Sequence, residues 1–402
     1  MAADLKSFFS PTLVRRLAAE ILRVHPEFPA PSFVRRASTG LAALELLDRA
    51  RHIAHALGAA LPPRYPDAIA VLLRSLGPEH ASDELVGAGM APFFYLPHLL
   101  FVAERGLDHF DLSLHAQYEL TKRFSAEFSI RAFIERDPER TCAALRKWAR
   151  DDDAHVRRLV SEGTRLRLPW AARVAWLDAN PERVLELLEL LKDDPATLVR
   201  RSVANNLNDL GKVRPDLLQR TCTAWLEGAT APRRTLVEHA LRSAVKRGEI
   251  YALRLLGYGQ PAAIALESVS FEARRVAIGG RVAMSFTLRS KARTAQELLV
   301  DVAVHFVKAR GDTAAKVFKL KRITLPARAR VTLRTTFSLS VHTTRVPRPG
   351  IHAVDLLING KAMRAGTFEV TAARRSPQGA RVPGAKVSGS TVATRKVSRQ
   401  KS

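Results

Sequence analysis

From Pro11 to about Gly257, apolar residues recur every three or four positions, the spacing that lines one face of an α-helix. Ser10-Pro11 predicts a helix start, with a capping hydroxyl followed by proline in the first turn. Leu13, Val14, Leu17 and Ile21 then form one stripe. Leu41 to Leu61 and Pro66 to Leu76 repeat the pattern, the second closing at Gly77-Pro78. Phe93 to Phe124 predicts two further helices broken near Gly106. After Gly259-Gln260-Pro261 the period drops to two. Strands are predicted over 264–271, 282–288, 298–307, 317–323, 331–339, 353–358 and 367–371. In the third of these, Leu298, Val300, Val302, Val304 and Phe306 share one face, and Asn359-Gly360 marks a hairpin turn.

The helical half contains a repeat. Asp137-Pro138-Glu139-Arg140 opens one helix, Asn180-Pro181-Glu182-Arg183 a second 43 residues later, and Arg214-Pro215-Asp216 a third after 34 more. Each is followed by a second helix bearing paired arginines: Arg157-Arg158, Arg200-Arg201 and Arg233-Arg234. Helix pairs at this period predict an all-α, HEAT-like solenoid, whose second helices stack side by side and bring the six arginines to one curved face. Taken singly, such a pair reads equally as a solvated helix start facing acids such as Asp151 to Asp153. About seven strands in roughly 110 residues predict an all-β, immunoglobulin-like sandwich, although the Cys…Trp…Cys core of antibody domains is absent. The expected organisation is a solenoid over 1–258, a sandwich over 262–373 and a disordered basic tail over 374–402.

Charge sharpens this division. Residues 274–402 hold 27 Lys and Arg against 5 Asp and Glu, a net of +22, whereas residues 1–273 hold 37 against 34, a net of +3. Such a field attracts a polyanion; DNA, RNA and an anionic membrane all satisfy the count. No run of 18 apolar residues predicts a membrane span, and Met1 to Lys6 shows no signal-peptide pattern. The two cysteines, Cys142 and Cys222, read as ordinary buried thiols of a reducing cytoplasm. No zinc spacing, nucleophile elbow or phosphate-binding glycine loop is present, and Gly87-Ala88-Gly89 lacks the strand and helix that such a loop requires. No cofactor or metal is expected.

The remaining candidates for chemistry are acids set among aromatic and basic residues: Glu119-Leu-Thr-Lys-Arg-Phe-Ser-Ala-Glu127-Phe-Ser-Ile-Arg131, Ser161-Glu-Gly-Thr-Arg-Leu-Arg-Leu-Pro-Trp170 and Ser202-Val-Ala-Asn-Asn-Leu-Asn-Asp209. These segments, in this order and spacing, resemble the AlkC-like DNA alkylation-repair glycosylases, a branch of the HEAT-like repeat glycosylases related to AlkD. The resemblance covers roughly residues 5–258, and the sandwich is similar to the immunoglobulin-like extension of one subgroup. It implies a bacterial enzyme that hydrolyses the N-glycosidic bond of cationic alkylated bases, such as 3-methyladenine and 3-methylcytosine, in duplex DNA; a clamp around one duplex suggests a monomer, and the cysteine usage a cytoplasmic one. It also implies that the lesion is not flipped into a deep pocket. Carried over residue by residue, the active-site acids fall on Glu127, Glu162 and Asp209, and the active-site aromatic falls on Trp170. Arg158 and Arg165 are candidate backbone contacts, and Arg157, Arg167, Arg200, Arg201, Arg233 and Arg234 complete the expected DNA-binding set. The sandwich is expected to grip the duplex as a clamp.

Read without that resemblance, the same residues have plainer roles. Glu127 could favour a helix N-terminus, Glu162 could end a helix and pair with Arg165, Asp209 could terminate a helix, and Trp170 could start one. A non-catalytic DNA-binding or protein-binding scaffold is therefore the competing expectation. RNA binding is a third, without any RNA-module aromatic signature to support it.

Overall fold

The structure, a computed structural model, describes residues 5–80, 91–341 and 346–372. The Gly87-Ala88-Gly89 segment and the basic tail lie outside the described residues. The chain divides into a helical unit up to Pro261 and a β unit from Ala262. No helix among the described residues is long and apolar enough to cross a membrane.

Helices form where the stripes predict them, and caps set their starts. Ser10 accepts the Leu13 N–H at the head of Pro11–Leu22. Asp137 accepts the Arg140 N–H ahead of Pro138–Trp148. Asp153 accepts the His155 and Val156 N–H groups ahead of Ala154–Gly163, and Thr230 does the same for Arg233 ahead of Ala231–Ala240. The stretch expected as one helix over Leu41 to Leu61 is instead a 3-10 turn, Leu41–Ala43, and a separate helix, Leu46–Ala60. Arg49 explains the break. Its buried guanidinium donates to the carbonyls of Ala42 and Leu44, which a continuous helix would have used within itself, and to those of Lys6 and Phe9 in the N-terminal segment. Between Leu96–Arg105 and Phe110–Thr121 the chain turns at Gly106, where a Cβ would sit 2.3 Å from Ser113 Oγ and 2.4 Å from Tyr65 Oη.

The repeat is realised as helix pairs. Pro138–Trp148, Pro181–Glu189 and Pro215–Leu226 are the first helices, and Ala154–Gly163, Thr197–Leu210 and Ala231–Ala240 the second. The three second helices pack against one another in sequence. Their apolar residues, including Val156, Leu159, Val160, Val203 and Leu207, are fully buried. Gly163 ends the first of them against Ile130, whose Cγ2 would lie 2.6 Å from an added Cβ.

The β unit has eight strands: β1 Ile264–Phe271, β2 Arg275–Ala277, β3 Arg281–Ser290, β4 Gln296–Val307, β5 Thr313–Leu325, β6 Arg330–Ser338, β7 Gly350–Ile358 and β8 Lys361–Thr371. A three-stranded sheet runs β1-β3-β6 and a five-stranded sheet runs β2-β8-β7-β4-β5. The short β2, absent from the sequence expectation, pairs parallel with the end of β8. Three residues are too few to display a period. Phe286, Phe337 and Met284 from the first sheet meet Val300, Val304, Leu356 and Phe368 from the second in one core. Leu298, Val300, Val302, Val304 and Phe306 all enter it. Asn359 and Gly360 both adopt positive φ between β7 and β8, as a two-residue hairpin of the primed type requires.

Because Gly163 sets the approach of two helices, Gly163→Ala is expected to lower unfolding free energy by about 1–3 kcal/mol through overpacking, measured as a shifted midpoint in urea.

Candidate active site

Three segments of the helical unit converge on a cleft of about 380 Å3 lined by Ser125, Glu127, Arg158, Glu162, Arg165 and Trp170, with Phe93, Phe124 and Phe128 as apolar walls. Glu127 lies in the turn between the helices Phe110–Thr121 and Ile130–Arg136. That turn is fixed from beneath. Thr121 Oγ1 accepts the Ala126 N–H, and Ser129 Oγ donates to Gln117 Oε1, with all three polar side chains fully buried. Glu162 and Arg158 sit one turn apart on Ala154–Gly163, so both reach the same side. Asp209 occupies the last turn of Thr197–Leu210. One turn earlier on that helix, buried Asn206 donates to the Ser161 carbonyl and to Thr164 Oγ1, locking the end of the neighbouring helix.

The charged groups alternate. Arg158 Nη2 stands 3.3 Å from Glu127 Oε2 and 3.5 Å from Glu162 Oε1. Arg165 Nη1 donates to Glu162 Oε2 at 2.9 Å, and its Nη2 meets Asp209 Oδ2 at 2.8 Å. Lys212 closes the row on Asp209 Oδ1 at 2.7 Å. Asp209 and Glu162 are buried, and the Glu127 side chain is only 16% exposed. Isolated carboxylates would be costly there, and the interleaved guanidinium groups offset that cost. Burial pushes the Glu127 carboxyl above its ordinary value; neighbouring Glu162 pushes it the same way, while Arg158, Ser125 and Arg165 only partly oppose them. Burial works against the charge on Arg165, but Glu162 and Asp209 outweigh it and hold that guanidinium above its usual range. Glu127 Oε2 carries both contacts, from Ser125 Oγ at 2.9 Å and from Arg158; Oε1 accepts no hydrogen bond from the described residues.

Trp170 differs from the other three tryptophans. Trp225 is buried and Trp148 and Trp176 are half-buried, whereas Trp170 is 57% exposed. Its φ of 66° lies in the left-handed region, uncommon for a bulky side chain. The ring borders both this cleft and a second one of about 310 Å3.

The paired arginines divide by position. Arg157 bridges Asp194 and the carbonyls of Asp151 and Asp152. Arg200 donates to the carbonyls of Asp194 and Pro195, and Arg233 pairs with Asp193. The first member of each pair thus fastens a connection between helices instead of standing on an open face. Arg158, one residue on and rotated by about 100°, enters the cleft, and Arg201 and Arg234 are exposed. Arg167 is held by Asp178 at 2.7 Å. Ser125, Asn206 and the phenylalanine walls carry no motif of their own; serine beside a glutamate and a mid-helix asparagine were the available signals. Cys142 and Cys222 are both buried, and burial pushes the Cys222 thiol up to about 12.

Residues 124–247 match the model of a family described as DNA alkylation repair enzyme, and residues 265–372 match that of the C-terminal Ig-like domain of the uncharacterised protein YhaZ. The chain is 32% identical to the uncharacterized protein YhaZ of Bacillus subtilis, over 92% of its own length and 99% of the relative's. Among solved structures, it is similar to the alkylpurine DNA glycosylase AlkC of Pseudomonas fluorescens bound to DNA containing an abasic site analog. There the TM-score is 0.84 and the identity 37%, covering 92% of this chain and 99% of that one. A helical repeat carrying this cleft, followed by the matching β domain, places the chain in the AlkC-type family of DNA alkylation repair proteins with a C-terminal Ig-like domain.

Proposed function

We propose that the protein is a DNA glycosylase that hydrolyses the N-glycosidic bond of cationic alkylated bases, 3-methyladenine and 3-methylcytosine among them, in duplex DNA, starting base excision repair. One observation carries this reading: Glu127 and Glu162 share a cleft with a displayed Trp170, and one oxygen of Glu127 is left uncommitted among the described residues. A cationic base needs little acid assistance, because it departs neutral. As the C1′–N bond breaks, its electron pair goes to the base and the deoxyribose acquires oxocarbenium character. Glu162 and Asp209 lower the energy of that positive charge more than that of the ground state. A water adds to C1′ and gives its proton to Glu127, whose raised pKa makes it a stronger base than an ordinary carboxylate. Trp170 stacks on the sugar or its neighbours at the surface, consistent with chemistry that does not draw the base into a deep pocket. The abasic analogue in the AlkC complex corresponds to the product of such a reaction.

The competing reading, a non-catalytic DNA-binding scaffold, draws on the fact that each of the three acids is met by an arginine, as in a structural ion network. Base release from methylated duplex DNA separates the two. Glu162→Gln and Asp209→Asn are expected to bind DNA while losing roughly 100-fold or more in release rate. A wild-type protein that binds but frees no base would leave the scaffold.

Glu127 couples rate and stability to pH with opposite signs. As base it must be ionised, so the release rate rises as pH passes upward through its elevated pKa. Its folded pKa lies above the ordinary 4.5, so the folded state loses stability over the same rise. Glu127→Gln is therefore expected to be inactive, yet more stable than wild type at pH 8. The stability difference should vanish below about pH 4.5, as urea titrations across the range would record.

The sandwich adds a polyanion-binding surface in this proposal. Exposed Lys319 and Lys321 flank an irregularity in the β4–β5 register, on an edge strand. Replacing both by glutamate is expected to weaken binding to any duplex sequence. The slope of log affinity against log salt should fall by about 0.9 for each phosphate no longer neutralised. Unchanged affinity and slope would remove the sandwich from the DNA interface.

A further inference from the structure

Arg131, on the helix Ile130–Arg136, is 5% exposed, and among the described residues no carboxylate lies at ion-pair distance from it. Its fork is spent on backbone instead. Nη1 donates to the carbonyls of Gly163 at 3.1 Å and Arg165 at 2.8 Å, and Nη2 donates to that of Ala172 at 2.9 Å. Nε has no partner. Burying a guanidinium without a carboxylate is expensive, and burial, with the more distant Asp178 only partly opposing it, lowers the pKa of Arg131 to about 10. The three carbonyls share one property: they bracket the loop 164–173, which carries both Arg165 and Trp170. Gly163 and Arg165 stand at its start and Ala172 at its end. Within that span Trp170 is held at φ 66°, a conformation that persists only where its surroundings impose it.

We propose that Arg131 is a positioning residue: by joining the two ends of the Trp170 loop through its backbone, it holds the exposed indole in the cleft against its own backbone preference. Only a planar fork with several donors reaches both loop ends from one side chain; a lysine, whose donors radiate from one nitrogen, does not. The loop's other ties act elsewhere. Arg165 binds acids at the cleft, Arg167 binds Asp178, and Leu166 and Leu168 are buried. None of these reaches from one loop end to the other. The catalytic consequence rests on the glycosylase reading above, whereas the conformational consequence does not.

The test uses the full-length protein with Arg131→Met, and with Arg131→Lys should the methionine variant fail to fold. Trp170 is read by subtracting the emission of the matching Trp170→Phe protein. In the variant, the Trp170 component is expected to lose anisotropy and to become more readily quenched by acrylamide, while the remaining emission, from Trp148, Trp176 and Trp225 together, stays as in wild type. Release of alkylated bases is expected to fall about 10- to 100-fold in kcat, with a smaller change in KM. Because Arg131 borders the second cleft, adding guanidinium ion to Arg131→Ala should restore Trp170 anisotropy, and sodium at equal ionic strength should not. Unchanged Trp170 anisotropy and quenching in a folded variant would overturn the proposal, as would a mobile Trp170 with undiminished kcat. If the wild type released no base, the glycosylase reading would fail, and the anisotropy and rescue results would decide the role of Arg131 alone.

Discussion

The helical unit is organised around an unusual constraint: three acids must be held close together under limited solvent. Glu127, Glu162 and Asp209 come from three different segments, so like-charge repulsion would force those segments apart. Arg158 between the first two and Arg165 between the second two convert repulsion into attraction. The row works only if each donor lies within about 3.5 Å of its acids, and such precision comes from the polar contacts beneath it. Asn206 ties two neighbouring helices, Thr121 and Ser129 fix the turn before Glu127, and Gly163 lets one helix close on another. Repeat packing thus provides the frame, and buried side-chain hydrogen bonds provide the registration.

Arginine has a second use throughout the unit. Arg49 fills the break after Ala43, Arg157 and Arg200 take carbonyls from the connections between helices, and Arg131 spans a loop. Helix ends and short connections leave carbonyls without backbone donors, and a five-donor fork satisfies several at once. Much of the positive charge in this half of the chain is therefore committed to holding the fold.

The sequence is readable where periodicity carries the information and opaque where contact does. Helix pairs, their capped starts and the alternating core of β4 follow from apolar spacing and proline position. The cleft was legible because its segments resemble a known family; spacing alone left Glu162 as a helix-end acid pairing with Arg165. That plainer reading also holds in the structure, since Glu162 does both. The single helix expected over 41–61 missed the work of Arg49, a long-range contact to Lys6 and Phe9 that local pattern cannot encode. Six arginines in register gave one face on paper. In three dimensions the 100° step between neighbours sends the first of each pair to the connections and the second elsewhere. Arg131 carries no signal in its own segment, because nothing in its neighbours announces that it reaches residues 32 to 41 positions away.

Commitment of charge also separates two tasks that would otherwise conflict. A cleft lined by Glu127 and Glu162, with Asp209 joined to them through Arg165 and every acid matched by a positive group, exerts little long-range pull on phosphate, so in the proposed DNA complex that attraction has to originate elsewhere, and the +22 of residues 274–402 meets that need. Inside the cleft, near-neutrality is what would make the acids usable in the proposed reaction. Carboxylates paired with guanidinium groups do not oppose the approach of a phosphate backbone as bare ones would. In the proposed reaction, when positive charge appears on the sugar, an oxygen that no arginine of the described residues holds responds most directly, and Glu127 Oε1 is such an atom. On that proposal the arginine row serves catalysis through what it leaves unbound as well as through what it binds.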